Sequence, residues 1–243
     1  MISIFKKELL SFFGSATGYL VIGIFLSLTG LFLWVIPGEF NVLESGYANV
    51  DGLFYLAPWL FLFLCPAITM RSFAEEKKSG TWEILITKPL SINELVLGKF
   101  LAGWVLVLIA LFPTILYYFS VYFLAEPVGN VDTGAFWGSF IGLVFLSGVY
   151  ISIGIFSSSL SNNQIISFVV SVLLCFIFFY GFDLLGSFFS SGTVIDIVQN
   201  FGINAHYKSL SRGVVDMRDV GYFLFLTGLF LAIIVWRNSK SQK

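Results

Sequence analysis

Residues able to carry charge are scarce in this chain, and a third of them fall in one stretch. Nine lie between Arg71 and Lys99: Arg71, Glu75, Glu76, Lys77, Lys78, Glu83, Lys88, Glu94 and Lys99. Long apolar runs flank this stretch, in a chain of 243 residues that is 58% hydrophobic and 11% charged. Each Lys, Arg or Asp at a bilayer centre costs roughly 2.5–3.5 kcal/mol, so the stretch is expected to be a water-facing island between two membrane spans. It offers charge and a short helix with apolar side chains, and no nucleophile paired with a base.

Other sources of chemistry are thin. Ser147, Ser152 and Ser171 lie in apolar runs with no His or acidic companion in the same run, so an intramembrane hydrolase is disfavoured. Cys65 and Cys175 have neither C-x-x-C spacing nor a nearby His, which is the pattern of core filling. The single His206 lacks companions for a metal site. No G-x-x-x-x-G-K-[ST] occurs, and Gly98-Lys99 lacks both the upstream Gly and the downstream Ser or Thr. ATP phosphates therefore have no P-loop to bind here, and energy must come from another polypeptide. No ionisable residue stands in the middle of an apolar run, with Asp183 at an outer edge, which lowers the case for a proton- or sodium-coupled carrier. The net charge of −1 implies no nucleic-acid surface.

The local grammar of the charged stretch is more specific than its charge. Gly80 offers a sharp turn, Thr81 can cap the residues after it, Trp82 to Thr87 can form a little under two helical turns, and Pro89 disfavours helix at Lys88. Ser91 and Glu94 have the spacing of a capping box, with Leu90 and Leu95 as a hydrophobic staple. The next helix is thus expected to start in water. The apolar side chains of the short helix, Trp82, Ile84, Leu85 and Ile86, have two places to go: a partner protein, or the headgroup layer as an ordinary interfacial helix.

The elements around this stretch are membrane helices. Spans of about 20 residues are expected at Tyr19 to Ile36, Leu53 to Met70, Leu95 to Leu124, Phe136 to Ser157, Ile165 to Phe182 and Val220 to Trp236. Ile2, Phe5, Leu9 and Phe12 repeat at helical spacing around Lys6, Lys7 and Glu8, the signature of an amphipathic helix on a membrane surface. The opening residues lack the short apolar core and small-residue site of a cleavable leader, so the first span is expected to act as its own insertion signal. Pro58 and Pro66 should bend or open the second span, and Pro113 should kink the third, which can run about 50 Å at 1.5 Å per residue from its Ser91 cap. Ser161 and Gln164 repeat the capping pattern before the fifth span, and the loop SSSLSNNQ carries no charge.

Between Gly186 and Asp219 lies a long connection in which Val194, Ile197, Val198 and Phe201 keep helical spacing. Gly202 can end that helix, Asn204 can cap a second through Leu210, and Asp216 and Asp219 can cap the last span. Two short helices covering the span ends are expected. Gly138, Gly142 and Gly148 fit close helix contact.

The tract EEKKSGTWEILITKPLS strongly resembles the segment between the second and third spans of ABC-2 type transporter permeases. In that family it forms a coupling helix that docks on a cytoplasmic ATPase subunit. Glu75, Glu76, Gly80, Thr81, Glu83, Thr87 and Pro89 match the family pattern, while Trp82 and Ile86 stand where smaller or straighter aliphatic residues are commoner. The resemblance thus implies ATPase contact through Glu75, Glu76, Gly80, Thr81, Trp82, Glu83, Leu85, Thr87 and Pro89. FKKELLSFFGSATGYLVIGIFLSLTGLFLW, through Lys7, Glu8, Phe13 and Tyr19, resembles the start of the gliding-motility subfamily of these permeases, and INAHYKSLSRGVVDMRDVGYF, through Ser209, Arg212, Gly213, Asp216, Asp219 and Tyr222, resembles the same permease family.

The expected fold is an all-α integral membrane protein, one ABC-2 type domain over 1–243. It has an interfacial helix at 1–15, a coupling segment at 71–91 and an outward segment at 186–219. The resemblance implies half of an exporter: a second permease copy or a related permease, a cytoplasmic ABC ATPase that binds ATP and Mg, and an auxiliary gliding-motility membrane protein. No cofactor is expected on this chain. Two other readings share the same features: the permease of a copper-enzyme maturation system, and a scaffold subunit that uses ATPase strokes without moving a substrate.

Six spans put both ends on one side. Ten Lys and Arg fall on that side, and only Lys208, Arg212 and Arg218 on the other, so the termini and the charged stretch are expected on the cytoplasmic side; the resemblance implies that the membrane is a bacterial inner membrane. A Lys78→Cys variant, in a background with Cys65 and Cys175 replaced, is therefore expected to resist membrane-impermeant maleimide in intact cells and to react after the membrane is opened. Labelling in intact cells would reverse the topology.

Overall fold

A computed structural model describes residues 1–86, 91–213 and 216–239, and every regular element among them is helical. In order these are α1 (Ile2–Phe13), α2 (Ala16–Trp34), α3 (Asp51–Thr69), α4 (Ala74–Lys78), α5 (Thr81–Ile86), α6 (Ile92–Leu111), α7 (Ile115–Leu124), α8 (Thr133–Leu160), α9 (Gln164–Phe176), α10 (Phe182–Gly186), α11 (Gly192–Gln199), α12 (Ile203–Leu210) and α13 (Met217–Ser239). Six stretches are long and apolar enough to cross a membrane: Ala16–Trp34, Asp51–Lys78, Ile92–Leu124, Thr133–Leu160, Gln164–Gly186 and Met217–Ser239. They coincide with the expected spans to within a few residues, except that the second continues without a long break into α4.

The helix boundaries follow local chemistry. Ser91 accepts the Glu94 backbone N–H while the Glu94 carboxylate reaches back to the Ser91 N–H, so the capping box at the start of α6 is formed; the Leu90 half of the staple lies outside the described residues. Pro113 cannot continue the hydrogen-bond ladder, and a 3-10 turn, Phe112–Thr114, separates α6 from α7. Asp132 caps α8 through the Ala135 N–H at 2.9 Å. Two caps differ from expectation. Asn163, with its side chain on the Ile165 N–H, caps α9 in place of Ser161, because Ser161 already accepts the Asn163 N–H. Asn204 sits inside α12 and donates to the Asp183 carboxylate, leaving Gly202 at the N-cap. Asp216 accepts the Arg218 N–H at 2.9 Å as expected of a cap. Asp219 instead meets His206 Nδ1 at 2.7 Å, while His206 Nε2 donates to the Asn200 carbonyl and the ring stacks on Tyr222.

The fourth span, α8, is the central post. It packs against α3, α6, α9, α12 and α13, and Leu143, Leu146, Val149, Tyr150, Ile151 and Ile153 along it are fully buried. Close approach depends on its glycines: a Cβ on Gly138 would lie 2.6 Å from Gly213 Cα, in a turn where Gly213 itself has φ +85°.

Both prolines of the second span lie within one continuous helix, α3, so of the expected bend or opening the structure shows no break. A proline removes the N–H that would bond four residues back, and Pro58 thereby frees the Phe54 carbonyl. The Tyr207 hydroxyl, from α12, donates to that carbonyl at 2.8 Å. Burial, reinforced by nearby Tyr55, raises Tyr207 well above the ordinary phenol value, so the donor proton stays on. Tyr207→Phe removes it and leaves a buried carbonyl unpaired, a cost of about 1–3 kcal/mol. Its thermal unfolding in detergent is expected at a measurably lower temperature than that of a Tyr47→Phe control at an exposed position.

Candidate functional site

The charged stretch folds into two stubs at the end of the bundle that carries α1 and the last turns of α13. α4 comes directly after α3, Gly80 turns the chain at φ +71°, and α5 begins at Thr81. A residue with a Cβ is strained in that left-handed conformation, which accounts for the glycine. α4 has no side-chain cap of its own. Ser158 of α8 supplies one: its hydroxyl oxygen accepts the Phe73 and Ala74 N–H groups at 3.0 and 3.1 Å and donates to the Met70 carbonyl at 3.0 Å. The Lys77 ammonium donates to the Ser159 carbonyl. These contacts fix α4 to the central helix.

A buried ionic cluster then joins α4 to α1 and α6. Lys99, two turns into α6, has a side chain only 1% exposed. Its ammonium lies 2.9 Å from Glu8 Oε1 on α1 and 2.9 Å from Glu76 Oε1 on α4. It also donates to the Ser72 carbonyl and sits 5.0 Å above the Phe73 ring. Lys7 completes the group at 3.0 Å from Glu76 Oε1. Burial works against the Lys7 ammonium, but its hydrogen bond to Glu76 and the charges of Glu76, Glu8 and Glu75 prevail and hold its pKa above the ordinary lysine value. Two cations thus face two carboxylates across three helices. Glu76 Oε2 has no hydrogen-bond partner among the described residues, which leaves the cluster one donor short. Beside it opens a cavity of about 410 Å³ with Arg71, Ser79, Thr81 and Leu20 in its wall.

The residues expected at a partner surface divide into two sets. Glu75, Gly80, Thr81 and Glu83 are exposed. Glu76 and Trp82 face inward, a correction to their expected exposure. Glu76 is spent on Lys7 and Lys99, and Trp82 packs edge-on against Phe73 at 5.4 Å, 8% exposed. The Trp82 ring thus finds its apolar surroundings within the chain. The Thr81 hydroxyl turns back to the Glu76 carbonyl at 3.3 Å and to Ser79 at 2.9 Å. Leu85 is carried on α5, and Thr87 and Pro89 lie outside the described residues.

Lys99 differs most from its sequence reading, as one more water-facing charge. A lysine two turns inside an apolar helix was the available signal, and acids on α1 and α4 were the candidate partners. The α1 helix is correspondingly more than a surface anchor: Ile4 is buried, and the Gly98 position on α6 is close enough that a Cβ there would lie 3.1 Å from the Ile4 side chain.

Removing one partner of a buried ion pair costs about 3–5 kcal/mol, since the remaining charge stays desolvated. Lys99→Met is expected to destabilise by that order, and Lys99→Met combined with Glu76→Gln to recover part of the loss. Thermal unfolding of the two single variants and the double variant measures the coupling; strict additivity would show that the cluster contributes nothing as a unit.

Residues 35–236 match the family model described as ABC-2 family transporter protein, with α1 and α2 lying before the matched region. A search of curated proteins found no match.

Proposed function

Because the chain belongs to the ABC-2 transporter family and is a multi-pass permease subunit by that membership, we propose that an ATPase subunit drives it through the exposed side of the α4–α5 stub. The observation that carries this reading is the cluster of Glu76, Lys99, Glu8 and Lys7. It ties the stub to the start of the third span and to α1, so that force on Glu75, Gly80, Thr81 or Glu83 has a stiff route into α6. The sequence of the charged stretch supports Leu85, Thr87 and Pro89 as part of the same contact. ATP and Mg belong to the partner, and this chain supplies the lever.

In this reading the stub and both termini face the cytoplasm of a bacterial inner membrane, and two permease copies, or this chain and a related one, form the transport path with two ATPases. The N-terminal tract supports placement among gliding-motility-type exporters, with an auxiliary membrane protein of that system as a further partner.

Co-purification tests the docking step. Glu83→Lys, at an exposed position on α5, is expected to reduce recovery of the ATPase at least tenfold while the permease remains folded. Lys99→Met combined with Glu76→Gln, which removes the tie between α4 and α6, is expected to leave recovery intact and abolish the transport-linked part of ATP hydrolysis. Full coupled activity in that double variant would overturn the lever.

A further inference from the structure

At the end of the bundle opposite α4 and α5, a cavity of about 450 Å³ opens between α3, the outer end of the fifth span and α12. Its size is that of a small-ligand site. One wall is aromatic. Trp59 of α3 meets Phe179 edge-on at 5.5 Å and Tyr180 at 5.6 Å. Two consecutive residues both reach Trp59 in a segment, Ile177–Gly181, that forms a π-helix, a wide turn that often marks functional sites. Tyr55 and Trp59 remain 67% and 40% exposed, although Phe54, Ala57 and Phe61 beside them on α3 are buried.

The polar groups of the cavity are mostly committed elsewhere. Ser139 donates to the Ser211 carbonyl, Tyr207 to the Phe54 carbonyl and Asn204 to Asp183, while Asp51 accepts from Asn49. Lys208 and Arg212 are the exception. Both line the cavity, both are positively charged, and neither side chain forms an ion pair among the described residues. They are also two of the three cations at this end of the protein. Two free cations outweigh the single Asp51 carboxylate. The site therefore joins an anion-binding rim to an apolar, flat-sided wall that continues into membrane-spanning helices.

We propose that this cavity binds an anionic amphiphile. Lys208 and Arg212 hold its phosphate, sulfonate or carboxylate group, and its apolar body lies against Tyr55, Trp59 and Tyr180. A membrane lipid and an exported amphiphile share this chemistry. The assignment of the cavity to the outer side of the membrane rests on the topology proposed above; the binding itself does not.

Native mass spectrometry of the full chain in a neutral detergent, with dodecyl phosphate as the probe, tests the site without the ATPase, so a failure of ATPase docking leaves the result interpretable. Dodecyl phosphate is expected to bind at least tenfold more tightly than dodecyltrimethylammonium or inorganic phosphate. Lys208→Ala with Arg212→Ala is expected to weaken it at least tenfold, Trp59→Ala several-fold, and Arg218→Ala, which removes the third cation outside the cavity, by less than twofold. Equal binding of the cationic probe, an unaffected double variant, or an equal loss on Arg218→Ala would overturn the proposal. Where phosphatidylglycerol displaces the probe the occupant is a membrane lipid; where it does not, the site selects another anionic amphiphile.

Discussion

Burying the Lys99 ammonium at the start of α6 carries a desolvation cost of several kcal/mol, and carboxylates on two other helices offset it. Glu8 and Glu76 come from elements far apart in the chain, yet both reach the same ammonium at 2.9 Å. None of the three helices can shift alone without leaving a charge stranded in an apolar setting. The arrangement adds directional stiffness where apolar packing alone would allow sliding. Ser158 adds a second tie, since the first N–H groups of α4 have no cap from their own segment. A five-residue helix is far too short to be stable by itself; its order is borrowed from α1, α6 and α8.

The same accounting governs the membrane-spanning part. Water is absent from the bilayer core, so each backbone group freed by a proline or a helix end needs a partner in the protein. α8 answers this with a hydroxyl-rich, glycine-rich surface: Ser139, Ser147, Ser152, Ser157, Ser158 and Ser159 are buried along it, and Ser139 and Ser158 reach carbonyls on neighbouring segments. Small side chains let neighbours come close, and the hydroxyls then satisfy what the approach exposes.

Features written in short-range patterns were legible in the sequence. The six spans, the Ser91 and Glu94 box, the turn at Gly80, the break at Pro113 and the Asp216 cap all depend on residues within a few positions of one another. The features that were missed depend on which helix faces which. Lys99 looks the same in sequence whether it points to water or to Glu8 and Glu76. Trp82 shows an apolar ring but not the Phe73 ring that covers it. Asn204 has the composition of a cap, and only the fold brings Asp183 within its reach. The membrane family is readable from the charged tract and agrees with the match over residues 35–236.

The hydrogen bond from Tyr207 to the Phe54 carbonyl spans 153 positions of sequence. Ribosomal synthesis delivers the second span long before α12 exists, so the nascent segment enters the lipid with one backbone oxygen unmet, and a stray water or a looser helix must serve until the last third of the chain arrives. Final seating of the second span is thereby postponed until α12 has been made and closes over it.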